Sequence, residues 1–344
     1  MSLEQLSGKT VLVTGAGGLI GSRITSQLRR LGARPISVCR LDAYPPEVYR
    51  DRFGINTTEP DFIVGDIADP ELMSEAISGS DYVIHAAALA DVAACTRRPL
   101  DAIDTNIIGT QRVLDAVAAS DQVQRMVFVS SASVYGNGTS PEPVHDHVPA
   151  QFTEGAAVSP VSVYGNSKVW GEYQTAAVLG GGTSYAVVRY FSVYGEPQVV
   201  KENSHSWVVA WFAMRAALGL PLHLNGGGHQ IRDLVHVDDI ATGTLYALVA
   251  PRAHNATVNI GTGTGTSIRQ VAELVRSHHP DIRLVETPMP PGDPEGGYAS
   301  VQRMEDTLGW RPSITVEEGV ARYVAWLRAT PDAIPDWMQQ AVAA

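Results

Sequence analysis

Three side chains in this sequence have the types and spacing to move a proton at an alcohol: Ser131, Tyr164 and Lys168. Tyr164 and Lys168 open a run with helical spacing, Tyr164-Gly-Asn-Ser-Lys168 onward to Leu179, which stops at Gly180-Gly-Gly182. Residues i and i+4 share a helix face, so the phenol and the ammonium point the same way. A phenol with its ordinary pKa near ~10 is a poor base, and a neighbouring positive charge favours its ionised form. Such a tyrosine takes a proton from an alcohol during oxidation, or gives one to a carbonyl during reduction. Ser130-Ser-Ala-Ser-Val-Tyr-Gly136 closes an apolar strand read over Arg125 to Ser130. A hydroxyl at 131 would then lie at the strand's carboxyl end, able to hold a substrate alcohol and the phenol together. Each block also has a plainer reading alone: a surface helix for the pentapeptide, and a turn that caps backbone groups for the serines.

These groups need a scaffold, and the chain supplies one near its start. Val11 to Val13 reads as a strand, glycines follow at 15, 18 and 21, and Ile20 to Leu31 has helical spacing. Without a Cβ at the turn the backbone can approach a pyrophosphate, and the N–H groups opening the helix point at it. The spacing is G-x-x-G-x-x-G, not the commoner G-x-G-x-x-G. An oxidised nicotinamide in that cleft would add a second positive charge beside the phenol. Further strands are read at Pro35–Cys39, Phe62–Val64 (running into Gly65-Asp66) and Asp81–His85 (running into Ala86-Ala87-Ala88). Pro70–Ile77 and Leu100–Ala119 read as helices. This alternation predicts an α/β, Rossmann-type, doubly wound parallel sheet, with ligands at the carboxyl ends of its strands. Gly136 to Val161 reads as a long surface loop, and Tyr185 to Arg189 as another strand. The last third mixes short elements around Gly226–Gly228, Gly261–Gly265 and Pro288–Pro294. The division expected is residues 1–185 as the NAD(P)-binding domain, with a contribution from about 230–262. Residues 186–344 would form a smaller, interleaved C-terminal substrate-binding lobe.

Composition narrows the partners. The 344 residues are 44% apolar, with a net charge of −11 and a pI near 5.3. No basic run stands out, so neither nucleic acid nor an anionic membrane is an expected partner. Two cysteines, Cys39 in a strand and Cys95, suit a reducing cytoplasm better than a disulfide. The N-terminus lacks the pattern of a signal peptide. Trp207 to Leu222 is the most apolar long window, but Arg215 and Pro221 interrupt it and it is too short to span a bilayer. His145-Asp-His147 has no third ligand to make a metal site, so no metal is expected. His278-His279 reads as a helix-end dipole partner. Gly261-Thr-Gly-Thr-Gly265 lacks the Gly-Lys-Ser/Thr of a P-loop. His85 reads as structural, and Tyr135 as packing beside Tyr164.

Taken together, the blocks resemble the extended short-chain dehydrogenase/reductases, of the NDP-sugar epimerase/dehydratase type. VTGAGGLIG, GDI at Gly65 to Ile67, SSASVYG, YGNSK and RYFSVYG at Arg189 to Gly195 occur in the family's order. QIRDLVHVDD (Gln230 to Asp239), NIGTG (Asn259 to Gly263) and LGWRP (Leu308 to Pro312) follow. The resemblance covers nearly the whole chain. It implies a catalytic triad of Ser131, Tyr164 and Lys168, with Lys168 also holding the cofactor ribose. Gly15, Gly18, Leu19, Ile20 and Ser130 would contact the cofactor, Asp66 and Ile67 would flank its adenine, and Ala86, Ala87 and Ala88 would line it. Tyr190 would lie near the nicotinamide. Ser192, Arg232 and Tyr298 would serve the substrate, with Arg232 clamping its diphosphate.

Departures from the family pattern narrow the reaction. Dehydratases carry Asp-Glu where this chain has Ala132 and Ser133, and decarboxylating relatives keep the Glu. Ser192 replaces an Asn, Pro290 and Pro291 stand where an Arg is expected before Gly292-Asp293, and Ser300 replaces an Asp. The reading that remains is an NDP-sugar epimerase, acting at C4 by transient oxidation with tightly bound NAD(P). Its alternatives are an NADPH-dependent 4-ketoreductase and a non-catalytic NAD(P)-binding regulator. The acid that usually ends the second strand is Cys39, followed by Arg40. That pair leans toward NADP, while Asp42 in the ribose role would mean NAD. The resemblance also implies a homodimer through helices near 100–119 and 164–179.

Overall fold

The computed structural model describes residues 2–137, 149–202, 204, 207–289 and 296–343. Its first part runs β1 (Thr10–Thr14), α1 (Leu19–Arg30), β2 (Arg34–Cys39), α2 (Pro46–Asp51), β3 (Phe62–Val64), α3 (Pro70–Ile77), β4 (Tyr82–His85), α4 (Val92–Arg97), α5 (Pro99–Ile103), α6 (Thr110–Ala118) and β5 (Arg125–Ser131). Then come β6 (Ala150–Phe152), α7 (Val163–Leu179), β7 (Ser184–Tyr190), β8 (Ser192–Tyr194), α8 (Val208–Ala217), β9 (Leu222–Asn225), β10 (Ile231–Arg232), β11 (Leu234–His236), α9 (Val237–Val249) and β12 (Ala256–Ile260). The last are β13 (Thr266–Ser267), α10 (Ile268–His278), β14 (Leu284–Thr287), β15 (Gly296–Ala299), α11 (Gln302–Leu308), α12 (Val316–Ala329) and α13 (Asp336–Ala343).

Seven strands form one parallel sheet in the order β12-β7-β5-β4-β1-β2-β3. Both faces are buried, so successive residues in the middle of its strands are apolar and alternate between two cores. Val11 and Val13 join the α1/α9 side while Leu12 faces the α3/α6/α7 side. Val127, Val129, Ala186 and Val188 follow the first pair; Met126, Phe128 and Val187 follow Leu12. Each fully buried side chain of this size contributes roughly 1.5–3 kcal/mol. From β1 the chain goes to β2 and β3 on one side and then to β4 on the other. The crevice between β1 and β4 is therefore the topological switch point, the place for a ligand in such sheets.

Two elements differ from the sequence reading. The helix expected over Leu100–Ala119 is broken into α5, a π-helical turn at Asp104–Gly109, and α6. The loop expected over Gly136–Val161 contains β6, which pairs with β15 far along the chain; the stretch 138–148 lies outside the described residues. β6 completes a second sheet, β13-β10-β15-β6. A separate apolar core gathers α8, α10 and α12 with Leu222, Leu224 and Met338. The apolar window from Trp207 ends up in this core as α8 and the start of β9. Among the described residues no helix is long and apolar enough to cross a membrane, and Cys39 and Cys95 are free thiols.

Candidate active site

Helix α7 carries Tyr164 and Lys168 to the end of β5. Its start is fixed by Ser162, whose hydroxyl accepts from the Gly165 N–H at 3.0 Å. Its depth is fixed by Gly171: a Cβ there would lie 2.3 Å from the Phe128 ring on β5, so only glycine lets helix and strand approach this closely. Lys168 is 3% exposed, and its Nζ donates to the Val129 carbonyl at 2.8 Å. The ammonium lies 5.7 Å from the centre of the Tyr164 ring and 5.2 Å from that of Phe128. Ser131 ends β5, and its hydroxyl is near enough to the Tyr164 phenol to favour the ionised form. Its Oγ also accepts from the Ser133 N–H at 3.1 Å. The three expected groups therefore meet.

Their electrostatics differ from the simplest expectation. Burial pushes the Tyr164 phenol up to about 12, although the Ser131 hydroxyl beside it pulls the other way. Burial also pulls the Lys168 ammonium down to about 8, against Cys95 and Glu172, which raise it. In the protein alone desolvation outweighs the Ser131 hydroxyl, and the phenol keeps its proton.

Behind the trio lies a polar network that the sequence reading did not foresee. Glu172, one further turn along the face of Tyr164 and Lys168, accepts from Ser130 Oγ at 2.5 Å. Arg189 on β7 donates to both oxygens of Glu172, at 2.8 and 2.6 Å, with both side chains 7% exposed. Arg189 also donates to the Tyr135 hydroxyl at 2.9 Å, and that hydroxyl donates to Asn259 at 2.7 Å. Tyr135 stacks on Phe152 with ring centres 4.8 Å apart, so its place is in this network rather than simply against Tyr164. Asn106, buried in the π turn, donates to Ser167 at 3.0 Å and bonds both backbone groups of Leu89. It thereby ties the loop after β4 to α7. A Glu one turn beyond Tyr164 and Lys168, in register with them, was the signal available in the sequence.

The glycine loop meets the requirements of a dinucleotide diphosphate. Gly15 has φ +73, and a Cβ there would lie 2.8 Å from the Ala87 backbone, so the loops after β1 and β4 touch. Gly18 caps α1 without a side chain, leaving the first-turn N–H groups of Leu19 and Ile20 facing outward from a helix start. Ala87 N–H donates to Thr14 Oγ1 at 3.2 Å. Thr14 in turn bonds His85 at 2.7 Å, and His85 bonds Thr110 at 2.9 Å. Burial, and Lys168 to a lesser degree, hold His85 at about 3, so it stays a neutral bridge. At the end of β2, Arg40 pairs with Asp42 at 3.1 Å and Asp66 at 3.2 Å. Ile67 beside Asp66 is buried. Tyr190 is in register with Ser131, and its hydroxyl bonds Thr244 at 2.6 Å.

The three expected substrate residues lie on neighbouring short strands. Arg232 on β10 is opposite Gly297 on β15, the residue before Tyr298. Its Nη1 donates to the Ile231 carbonyl at 2.8 Å. Ser192 N–H donates to the carbonyl of Asp233 at 2.9 Å, next to Arg232. The buried Asp233 carboxylate braces this area by accepting from Thr262, Gly263 and Ala299 N–H at 2.7 to 3.0 Å. Pro290 to Asp293 and His145 to His147 lie outside the described residues. Glu196, His236 and Asp238 cluster elsewhere, but two arginines crowd them. Arg23 bonds Asp238 at 3.0 Å and the Glu196 carbonyl at 2.7 Å, and Arg322 lies 3.9 Å from Asp238.

Comparison with known proteins bears on this geometry. The family model described as "NAD dependent epimerase/dehydratase family" matches residues 11–261. A putative UDP-glucose 4-epimerase of Methanocaldococcus jannaschii is 32% identical over 92% of this chain and 98% of its own. The crystal structure of UDP-glucose 4-epimerase with UDP-glucose from Thermotoga maritima superposes with a TM-score of 0.82 at 31% identity, covering 94% of this chain and 99% of that one. The Thermus thermophilus UDP-glucose 4-epimerase in complex with NAD gives a TM-score of 0.80 at 28% identity, covering 93% and 99%.

Proposed function

The chain belongs to the NAD dependent epimerase/dehydratase family, and from that premise we propose that it is a nucleotide-sugar epimerase, inverting the C4 carbinol of a hexose by transient oxidation on tightly held NAD(P). One observation carries the reading. Ser131 and Tyr164, both half-buried, meet the buried Lys168 at the end of β5, while the next two positions, Ala132 and Ser133, offer no carboxyl group for elimination or decarboxylation. The relatives named above are 4-epimerases, which favours this over a 4-ketoreductase. Retention of all three reacting groups argues against a non-catalytic regulator.

When bound, oxidised nicotinamide supplies a two-electron acceptor and a fixed positive charge. Ser131 holds the sugar hydroxyl in line with the phenol. Tyr164, whose pKa must fall from about 12 to act as a base, takes the hydroxyl proton and later returns it to the same oxygen, once the 4-keto sugar has turned its opposite face to the nicotinamide, which would take up the C4 hydride and give it back. Lys168, anchored on the Val129 carbonyl, keeps a positive charge under the phenolate. Gly15, Gly18, Leu19 and Ile20 would receive the cofactor diphosphate, with Ala86 to Ala88 and Tyr190 lining its path. Residues 1–185 with about 230–262 would form this part, and the remainder the lobe that carries Ser192, Arg232 and Tyr298. Arg232 would grip the sugar-nucleotide diphosphate, so Arg232→Ala should raise KM about tenfold or more.

Two readings of the cofactor rest on different residues. Cys39-Arg40 favours a 2′-phosphate and NADP; Asp42 and Asp66, both paired to Arg40, favour a ribose hydroxyl and NAD. Titration with both dinucleotides separates them, and a clear NAD preference ends the NADP reading. Leu100, Ile103, Ile108 and Tyr173 expose apolar surface on the helices around α5 to α7, which supports a homodimer through that face. The two free thiols fit a cytoplasmic enzyme. Incubation with UDP-glucose or UDP-galactose tests the main reading. Interconversion with no net change in cofactor oxidation state is expected; stoichiometric cofactor consumption would mean a reductase.

A further inference from the structure

Lys201, between β8 and α8, reaches back to the first part of the chain. Its Nζ lies 4.2 Å from the centre of the Tyr44 ring and 6.0 Å from that of Trp207. Tyr44 follows β2 and is itself held there, because the N–H groups of Ala43 and Tyr44 donate to the Tyr49 hydroxyl at 2.7 and 3.1 Å. Tyr44 and Tyr49 both meet Phe53 edge-on, making a fixed aromatic wall. The Lys201 ammonium is half-buried, and among the described residues its Nζ makes no hydrogen bond and no ion pair within 4 Å. A cation taken out of water without an acceptor is costly, and two aromatic faces offset only part of that cost.

A Cβ on Gly17 of the glycine loop would lie 2.8 Å from both the Leu41 side chain and the Cys39 Sγ, so the segment that runs from the end of β2 to Tyr44 stands against that loop. Lys201, seated on Tyr44, is therefore held on the wall beside the carboxyl end of β1. Asp91, in the loop after β4, and Asp42 and Cys39, at the end of β2, favour its charged form there. The glycine loop has backbone donors but no cation, since Val11 to Ser22 contains neither Lys nor Arg. The nearest basic residue, Arg23, is engaged by Asp238 and the Glu196 carbonyl. Asp42 and Asp91 would repel an anion arriving there. We propose that Lys201 is the cation that meets the diphosphate of the bound dinucleotide, brought beside the glycine loop on the segment between β8 and α8. The inference rests on the reading of the protein as dinucleotide-dependent. The diphosphate, rather than a 2′-phosphate, is its target because Arg40, paired with Asp42 and Asp66, is already the cation at the end of β2, whereas the glycine loop has none of its own.

Calorimetric titration of the cofactor-stripped full chain with NAD, NADP, ADP-ribose and adenosine tests this. Lys201→Met and Lys201→Gln should each weaken NAD, NADP and ADP-ribose by about tenfold, with a shallower salt dependence, and leave adenosine unchanged. Lys201→Arg should stay within about threefold of the parent. Unchanged ADP-ribose binding in the neutral variants overturns the assignment, and so does a loss confined to NADP. If the parent chain binds none of the dinucleotides, the failure lies with the dinucleotide reading itself, and the assignment falls with it.

Discussion

Strands β5 and β2 end on the same edge of one sheet, yet their ends are built in opposite ways. At β5 the polar groups are buried and each has a defined partner: Ser130 on Glu172, Glu172 on Arg189, Lys168 on the Val129 carbonyl. At β2 the Arg40, Asp42 and Asp66 side chains are 39%, 58% and 41% exposed and share their charges loosely. Coulomb's law is the same at both ends, but water screens one and not the other. An exposed ion pair contributes about 0–1 kcal/mol, whereas removing one partner of a buried pair costs about 3–5 kcal/mol. Burial at β5 also moves the phenol to about 12 and the ammonium to about 8. The inner strand end therefore fixes the chemistry, and the outer one is free to vary.

The largest effects should all come from the inner end. Tyr164→Phe removes only the hydroxyl from a packed ring. Turnover should fall about a thousandfold or more, with the folded state unchanged by circular dichroism; surviving turnover would sink the proposed chemistry. Glu172→Gln leaves the Arg189 guanidinium buried beside a neutral amide. Urea denaturation should show a loss of roughly 3–5 kcal/mol. A loss below about 1 kcal/mol would mean that water reaches the pair, and the contrast between the two ends would weaken.

The inner end was also the more legible of the two in the sequence, though only for its reacting groups. Tyr164 and Lys168 declare a shared face through i, i+4 spacing, and Val11–Val13 and Arg125–Ser130 read as strands because a two-faced parallel sheet makes them continuously apolar. Glu172, Arg189 and Asn259 escaped because their meaning lies in partners from α7, β7 and β12, and no local pattern encodes that. β6 escaped for the same reason: Ala150–Phe152 becomes a strand only by pairing with β15. The π turn at Asp104–Gly109 keeps the apolar spacing of a plain helix almost intact, so periodicity alone reads through it. Lys201 lies in an unremarkable Val-Val-Lys-Glu stretch, and only the fold sets it against Tyr44.

Lys168 allows the inner end to be tested through pH. Its folded pKa near 8 lies below the ~10.4 of an unfolded lysine. Below pH 8 both states hold the proton, and the folded state carries a desolvated charge. Between about pH 8 and 10.4 the unfolded state binds more protons, so stability rises with pH through that window. Lys168→Met should therefore abolish turnover yet stabilise the cofactor-free protein by about 2 kcal/mol at pH 7. That gain should shrink toward zero near pH 10.4. A gain that does not change with pH would show that the ammonium is not desolvated.

The smallest effect on stability belongs to the outer end. Arg40→Ala removes a guanidinium that is 39% exposed and shared between two carboxylates. Each pair is worth little, and losing both also relieves the side chain of its ordering cost, so stability should move by about 0.5 kcal/mol or less. Ligand choice should move further. Asp42 and Asp66 would then stand without a cation where an adenosine ribose approaches the end of β2, and a 2′-phosphate would meet them unshielded. The ratio of NADP to NAD dissociation constants should rise about tenfold, since one charge-assisted contact is worth roughly 1.5–3 kcal/mol. An unchanged ratio would take Arg40 out of cofactor recognition. A stability loss above about 2 kcal/mol would show that this rim, despite its exposure, is as tightly determined as the buried end of β5.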